Sequence, residues 1–398
     1  MDDFQAYIYT LKQSGQNGDL PKDPKFYVKP PDSYDTISTA SDEDHRRLRR
    51  TQAHAFSEKA IMVQEQYLQQ YTEQLMKCLR DQSSQNNGAV DLAKWVNFLT
   101  TDVIGDLSFG KSFRGLDTGK LHPWLDALFT TLKTFTFIRE ILRLPSPIIN
   151  AALACIPQKM MDHQKEAVSF GAEAVRRRIA QETDRPDFMS YMIKHNNDGS
   201  KRQACSLISA ALMSQTELEM AAITFIVAGS ETTATMISGT IYLLLRNPTI
   251  LSSLTQKIRS DFPAQSDLNI VNLQNHKYLN SVLKEGLRLY PPAPDTLFRT
   301  TKDRSVSVAG KIVPSFTSMT MNLWAAGQDL VNFHRPLKFI PERWMDDTLP
   351  EFQNDDKAVF KPFSVGPRDY IGKKQKIYSL WEKLPLNVRI APRPDKGF

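Results

Sequence analysis

At 398 residues the chain exceeds the ~250–300 residues at which single cores usually divide, which predicts two domains or one unusually large one. Apolar residues make up 41% and charged residues 24%, ordinary globular values, so most of the chain can bury a core. The formal net charge of +6 favours an acidic protein partner or an anionic membrane surface over dedicated nucleic-acid binding. Cys78, Cys155 and Cys205 form no CxxC pair, which argues against a disulfide framework or a zinc site and for a reducing compartment.

In chain order, residues 1–44 are polar, hold Pro21, Pro24, Pro30 and Pro31, and end in Ser41-Asp-Glu-Asp; they predict loop. The opening Met1-Asp-Asp-Phe-Gln-Ala reads as neither a signal peptide nor an anchor. Ser57 is the expected N-cap of a strong helix in which Ile61, Leu68, Tyr71, Leu75 and Cys78 recur at helical spacing. A second helix is expected from Leu92 to Leu107, closed by Gly110, and residues 120–182 read as helical blocks between proline breaks. Asn196-Asn-Asp-Gly199 predicts an exposed loop.

From Met220 to Leu245 an apolar run carries one charge, Glu231, and is long enough to span a bilayer. The polar group Ser230-Glu231-Thr232-Thr233 at its middle, with Glu217 and Glu219 before it, favours a long buried helix of a soluble core, because an intramembrane acid requires a buried partner. This helix is expected from about Thr216 to Asn247-Pro248, where proline disfavours helix in the residue before it. Further helices are expected over Leu251–Asp261 and Tyr278–Leu289, the latter stopped by Pro291-Pro292. Ser305–Val313, Ser318–Leu323 and Leu386–Ile390 have β character, so the balance is mainly α with a small β part.

Four separated stretches carry candidate chemistry. Ala228-Gly229-Ser230-Glu231-Thr232-Thr233 sets a glycine, an acid and two threonines inside the long helix. A mid-helix glycine costs up to about 1 kcal/mol, and on its own this stretch is equally a small-residue packing face. Glu285-Gly-Leu-Arg288 puts acid and guanidinium on one helical face, which alone suits a solvent-exposed ion pair of little worth; Phe339-Ile-Pro-Glu-Arg343-Trp344 follows downstream. His45-Arg-Arg-Leu-Arg49, ahead of Ala55-Phe56-Ser57, and Arg299, after Pro291-Pro-Ala-Pro294, offer cations suited to carboxylates. Arg46, Arg47, Arg49 and Arg50 equally make a basic surface face. Phe363-Ser-Val-Gly-Pro-Arg-Asp-Tyr-Ile-Gly372 gathers an aromatic, a glycine turn, Arg368, Tyr370 and a second glycine.

In this order the four stretches resemble the cytochrome P450 family, in its fungal microsomal type, from about residue 15 to the C-terminus. The resemblance implies an incomplete cytochrome P450 fold, with residues 1–44 an irregular segment of the substrate side and 45–398 a partial haem domain. It implies a haem-dependent monooxygenase that inserts one oxygen atom from O2 into a small lipophilic substrate of fungal secondary metabolism. Electrons would come from NADPH through a flavin reductase docked on the basic face, and the chain would work as a monomer without nucleic acid. Gly229 then makes room for dioxygen, while Glu231 and Thr232 relay protons. His45, Arg49 and Arg299 reach haem propionates, Phe363, Arg368 and Gly372 shape the cradle, and Tyr370 holds the axial position. Glu285, Arg288 and Arg343 form a buried structural cluster. Phe225 and Ile226 suggest a lipophilic pocket, with core packing the plainer use of each. The family resides at the endoplasmic reticulum membrane; this chain, read without an N-terminal anchor, is expected in the cytoplasm.

Three departures accompany the resemblance. Tyr370 stands where the family has the cysteine whose thiolate binds iron and favours O–O cleavage. After Ile371-Gly372-Lys373-Lys374 the chain reads Gln375-Lys-Ile-Tyr-Ser-Leu-Trp-Glu-Lys383, so a helix-length segment is expected to be missing there. The match also starts inside the substrate-side region, without the first sheet strands. A tyrosinate ligates haem iron in catalase, but a phenol is longer than a thiol and the loop would have to retreat. These departures predict weak haem binding without oxygenation, making a pseudoenzyme or a mis-spliced product the alternative to the monooxygenase.

Overall fold

The computed structural model describes residues 20–27, 35–142, 144–145, 148–149, 158–181, 185–196, 213–294, 298–308, 310–364, 368 and 385–390. Tyr370, Gly372, the loop 197–199 and the Lys374–Gln375 junction lie outside them.

Helix α1 (Asp42–Ala53) begins at Ser41, whose hydroxyl accepts the Asp44 N–H at 3.1 Å. Asp42, Glu43 and Asp44 fill its first turn, where carboxylates meet the positive end of the helix dipole. The expected irregular segment of residues 1–44 therefore ends three residues early. Ser41-Asp-Glu-Asp is a cap with an acidic first turn rather than a polar loop.

Helix α2 (Glu58–Gln85) opens where expected, with the Ala60 N–H donating to the Ser57 hydroxyl at 3.3 Å. Helix α3 (Leu92–Phe109) ends at Gly110, whose φ of 69° is the left-handed stop that glycine supplies. Helices α4 (Pro123–Ile141), α5 (Gln158–Ala180) and α6 (Phe188–Asn196) follow.

The long α7 (Gln215–Arg246) starts on a capping box. The Glu217 N–H donates to Ser214 Oγ at 3.2 Å, and the Ser214 N–H donates to the Glu217 carboxylate at 2.7 Å. Helix α8 (Pro248–Asp261) follows the break at Asn247. Helix α9 (Lys277–Leu289) is capped by His276, whose Nδ1 accepts the Leu279 N–H at 2.9 Å.

The strands are short: β1 (Ala89–Asp91), β2 (Arg299–Thr300), β3 (Val306–Val308), β4 (Lys311–Val313), β5 (Ser318–Met319) and β6 (Asn387–Arg389). They pair antiparallel as β1 with β6, β2 with β5 and β3 with β4. Three residues between two helices carry no readable alternation, so β1 escapes the sequence pattern. The strand expected over Ser318–Leu323 stops at Met319 because Asn322 caps a short helix, accepting the Ala325 N–H at 2.8 Å.

The chain divides into two compact units. One comprises Asp23–Cys78 and Asn97–Ser230; the other comprises Leu79–Val96 and Glu231–Phe398 with the N-terminal stretch to Lys22. Each is assembled from separated stretches, which no composition shift along the chain marks. In the first unit a core gathers Ile104, Leu107, Leu125, Met189, Ala222 and Ile226. Phe225 meets Phe56 and Phe188 edge-on, ring centres 5.2 and 5.6 Å apart, so Phe225 and Ile226 serve the core. Arg178 and Asp187 form a fully buried pair at 2.8 Å. Arg47 of α1 grips Glu217 at the start of α7 with two hydrogen bonds, of 2.5 and 3.1 Å.

In the second unit Leu244, Leu254, Tyr278, Val282 and Phe339 form the core. Two glycines set the approach of α7 to the α9 region. A Cβ on Gly239 would meet the Tyr290 ring at 2.3 Å, and one on Gly286 would meet the Thr240 hydroxyl at 2.4 Å. Helix α7 is long and apolar enough to cross a membrane, and 56% of its most apolar window is buried inside the protein. That burial suits the core helix the sequence favours.

Two outcomes test this packing. Gly286→Ala, with Thr240 2.4 Å from the added carbon, is expected to lose about 1–3 kcal/mol by overpacking, and most of it should return in Gly286→Ala combined with Thr240→Ala; urea unfolding midpoints read both. Burial pushes the Glu217 carboxyl up, but Arg47 and the Ser214 N–H pull it further down, below the ordinary carboxylate range. A depressed native pKa adds stability above the unfolded value and loses it as pH falls through the native one. Arg47→Met should therefore cost about 1 kcal/mol at neutral pH, the scale of a partly screened pair. The difference should vanish as pH falls below the carboxylate range, in unfolding curves at both pH values.

Candidate functional site

On α1 the basic residues separate by position. His45 is buried, Arg49 is half-buried, and Arg46 and Arg50 are exposed, while Arg47 is engaged by Glu217 and Asp44. His45 and Arg49, four residues apart, share one face of the helix, with Leu48 buried beside it. The basic surface face is thus Arg46 and Arg50, and Arg47 belongs to the interior bonding of its unit.

In the middle of α7, Ser230, Thr232, Ala234 and Thr235 are at most 1% exposed and Glu231 is 7% exposed. Hydroxyls along this stretch turn back on the helix: Thr224 donates to the Met220 carbonyl, Ser230 to Ile226 and Thr235 to Glu231, each at 2.7 Å. This keeps small polar side chains satisfied in an apolar setting. Helix α7 runs without interruption through Gly229, and a Cβ on Gly229 would lie 2.4 Å from Ile104 Cδ1. The close approach of α3 therefore gives a packing reason for the glycine. Glu231 and Thr232, an acid and an alcohol adjacent in sequence and buried, are the residue types proton transfer in a dry site requires.

The second unit holds the most developed polar network among the described residues. Glu285 and Arg288 pair side-on, with Nε to Oε2 at 2.9 Å and Nη2 to Oε1 at 2.7 Å. The same carboxylate accepts Arg343 Nε at 3.1 Å, the Ile340 N–H at 2.9 Å and the Trp344 indole at 2.8 Å. Arg288 reaches the carbonyls of Gly327, Pro336 and Lys338. Arg343 donates to Asp355 and to the carbonyls of His334 and Arg335. Glu285, Arg288 and Arg343 are all 0% exposed.

The sequence places Glu285, Arg288 and Arg343 together and the structure does the same, but the network has further members. Asp355, its side chain 1% exposed, balances the second guanidinium and also accepts the His334 N–H at 2.6 Å. Two arginines and two carboxylates then carry no net charge. The rings of Phe333 and Phe352 lie against the guanidiniums, at 5.0 Å for Arg288 and 4.8 Å for Arg343. Arg299 lies on β2, 5% exposed, and Phe363 and Arg368 are half-buried.

The resemblance read from the sequence implies haem, and the described donors fit it by chemistry. In the first unit a buried imidazole and a half-buried arginine share a helical face, and in the second a buried arginine lies on β2; each is a residue type suited to a ligand's carboxylates, since guanidinium–carboxylate bonds are strong and geometrically specific. Haem, when bound, supplies the oxygen-activating chemistry.

Removing one carboxylate from the Glu285 network leaves a buried charge uncompensated, at about 3–5 kcal/mol. Asp355→Ala should therefore destabilise as strongly as Glu285→Ala, read as the shift in denaturant midpoint. Most of the Asp355→Ala loss should return when Arg343→Met removes the opposing charge, and an unshifted Asp355→Ala midpoint would take Asp355 out of the network.

Comparison with known proteins agrees with these features. The sequence model of the cytochrome P450 family matches residues 5–374. The cytochrome P450 monooxygenase astA of Talaromyces wortmannii is 33% identical over 98% of this chain and 82% of its own length. The trichothecene C-15 hydroxylase of Fusarium sporotrichioides is 36% identical over 90% of this chain and 77% of its own. The averantin hydroxylase of Dothistroma septosporum is 32% identical over 90% and 71%. The alignment with astA spans 419 positions, more than the 398 residues here, so that relative holds positions with no counterpart in this chain. With its buried Glu285–Arg288–Arg343 network and the acid–threonine pair in its long helix, the chain belongs to the cytochrome P450 family, the haem monooxygenases of lipophilic substrates.

Proposed function

We propose that this chain serves fungal secondary metabolism, on a lipophilic compound of the kind its hydroxylase relatives take, and that Glu231 and Thr232 supply its proton relay. His45, Arg49 and Arg299 hold the haem propionates, Phe363, Arg368 and Gly372 shape the cradle, and Tyr370 occupies the axial position. The burial of Glu231 and Thr232 within an unbroken α7 is the observation that carries this reading. An NADPH-linked reductase supplies electrons at the exposed Arg46 and Arg50, and the chain works as a monomer associated with a membrane surface.

Tyr370 favours a second reading, a chain that keeps the fold but has lost turnover. A thiolate pushes electron density toward O–O cleavage, whereas a phenolate ligand belongs to catalase-type haem. The longer ring also asks the loop to make room for it.

The two readings separate in the ferrous–CO spectrum and haem content of the chain purified with haem supplied. The wild type is expected to hold less than stoichiometric haem and to lack the red-shifted Soret band of thiolate ligation. Tyr370→Cys is expected to gain both. A red-shifted band or substrate turnover in the wild type would set the second reading aside.

A further inference from the structure

Helix α1 is bonded on the side away from its candidate ligand face. His45 is 4% exposed and Arg49 is half-buried, and at four residues apart they lie on one side of the helix. Arg47 stands two residues from each, so at 3.6 residues per turn it leaves the helix about 160° around from both. Its guanidinium donates to the two oxygens of Glu217 at 2.5 and 3.1 Å. It also donates to Asp44, one turn earlier, at 3.0 and 3.3 Å. The Arg47 and Glu217 side chains are each 16% exposed, so salt and water screen the pair less than they would on an open surface.

Glu217 is itself fixed, because its carboxylate also takes the Ser214 N–H at 2.7 Å in the cap of α7. Helix α1 and this first turn of α7 belong to the same unit, and the Arg47 contact ties them across 170 residues of sequence. Leu48, 1% exposed, anchors α1 in depth, but apolar contact is non-directional and does not set the angle of a twelve-residue helix about its axis. A guanidinium forked onto a carboxylate does set it. On a helix ~10–12 Å across, a roll of about 20° carries a side-chain tip about 2 Å. That is more than the roughly 2.7–3.2 Å window of a hydrogen bond allows.

We propose that Arg47 is a positioning residue for the ligand face of α1: its bonds to Glu217 set the rotation of the helix so that His45 and Arg49 are presented together to the carboxylates of haem. This rests on the propionate reading above and makes that face depend on the first turn of α7.

Titration of the full chain with haem, followed by Soret absorbance, tests it in the wild type and in Tyr370→Cys. Haem dimethyl ester, which has no free carboxylates, is the second probe. Glu217→Gln keeps an oxygen for the Ser214 N–H, since Gln serves this cap as Glu does, and removes the charge that holds Arg47. Charge alone predicts that this variant, being more positive, binds a dianionic ligand more tightly. Positioning predicts the opposite sign: haem should bind about tenfold more weakly, the scale of one charge-assisted bond drawn out of line, with the ester unchanged. Arg47→Met should weaken haem by the same factor, and Arg47→Met combined with Glu217→Gln no further. Haem affinity unchanged or tightened in Glu217→Gln, or haem and ester weakened equally, would overturn the inference while leaving the propionate reading standing. A chain that takes up no haem in either form, or binds haem and its ester equally well, would overturn the propionate reading and this inference with it.

Discussion

Glu285 sits where three stretches of the second unit converge, and its carboxylate is bonded to all of them. Arg288 comes from its own helix, Arg343 and Trp344 from the turn after Pro341, and the Ile340 N–H from the strand-like approach to that turn. Taking two guanidiniums and two carboxylates out of water costs several kcal/mol per ion. The arrangement is favourable only if every charge is matched and the remaining donors find carbonyls, and here they do. Arg288 and Arg343 use their outer nitrogens on backbone carbonyls of residues 327–338. The network thereby fixes the course of an irregular segment that has little regular hydrogen bonding of its own.

Helix α7 meets the same problem with smaller means. It buries an acid and several hydroxyls in an apolar interior, and each hydroxyl with a described partner along the stretch turns back on the helix carbonyls. Its glycines are placed where another element comes close: Ile104 at Gly229 and Tyr290 at Gly239. Backbones brought this near leave a rigid helix, because the neighbouring side chains fill what a Cβ would occupy. Glu231 and Thr232, an acid and an alcohol adjacent in sequence, are buried in this tightly packed stretch.

Much of this was legible in the residues. Helical periodicity and proline breaks located α2, α3, α8 and α9 to within a few positions, whereas the spacing of Glu285 and Arg288 alone suited an exposed pair and only the family resemblance joined them to Arg343 in one cluster. Asp355 was not legible. Between Asp346 and Asp356 the chain offers five acids, and nothing in composition or periodicity says which one turns inward to Arg343. The four arginines of α1 posed the same difficulty: Arg47 differs from Arg46 only in which way the helix faces, and the Glu217 that engages it lies 170 residues away. Ser41-Asp-Glu-Asp misled for the opposite reason, because the residues that favour a loop also favour a helix start. Local chemistry was readable throughout, whereas partners distant in sequence were readable only where a motif joined them.

The buried network answers to charge matching out of water, whereas turnover at a haem answers to the electron donation of the iron's protein ligand. Glu285, Arg288, Arg343 and Asp355 are held by burial, so losing any of them exposes the others to an unmatched charge and the fold suffers. A phenol in place of a thiol as iron ligand alters the electron donation available to the metal, a quantity that buried ion pairs do not report. Integrity of the fold is consequently a poor guide to turnover in this chain. The buried features that place it in its family report on the fold and not on the electronics of an iron ligand.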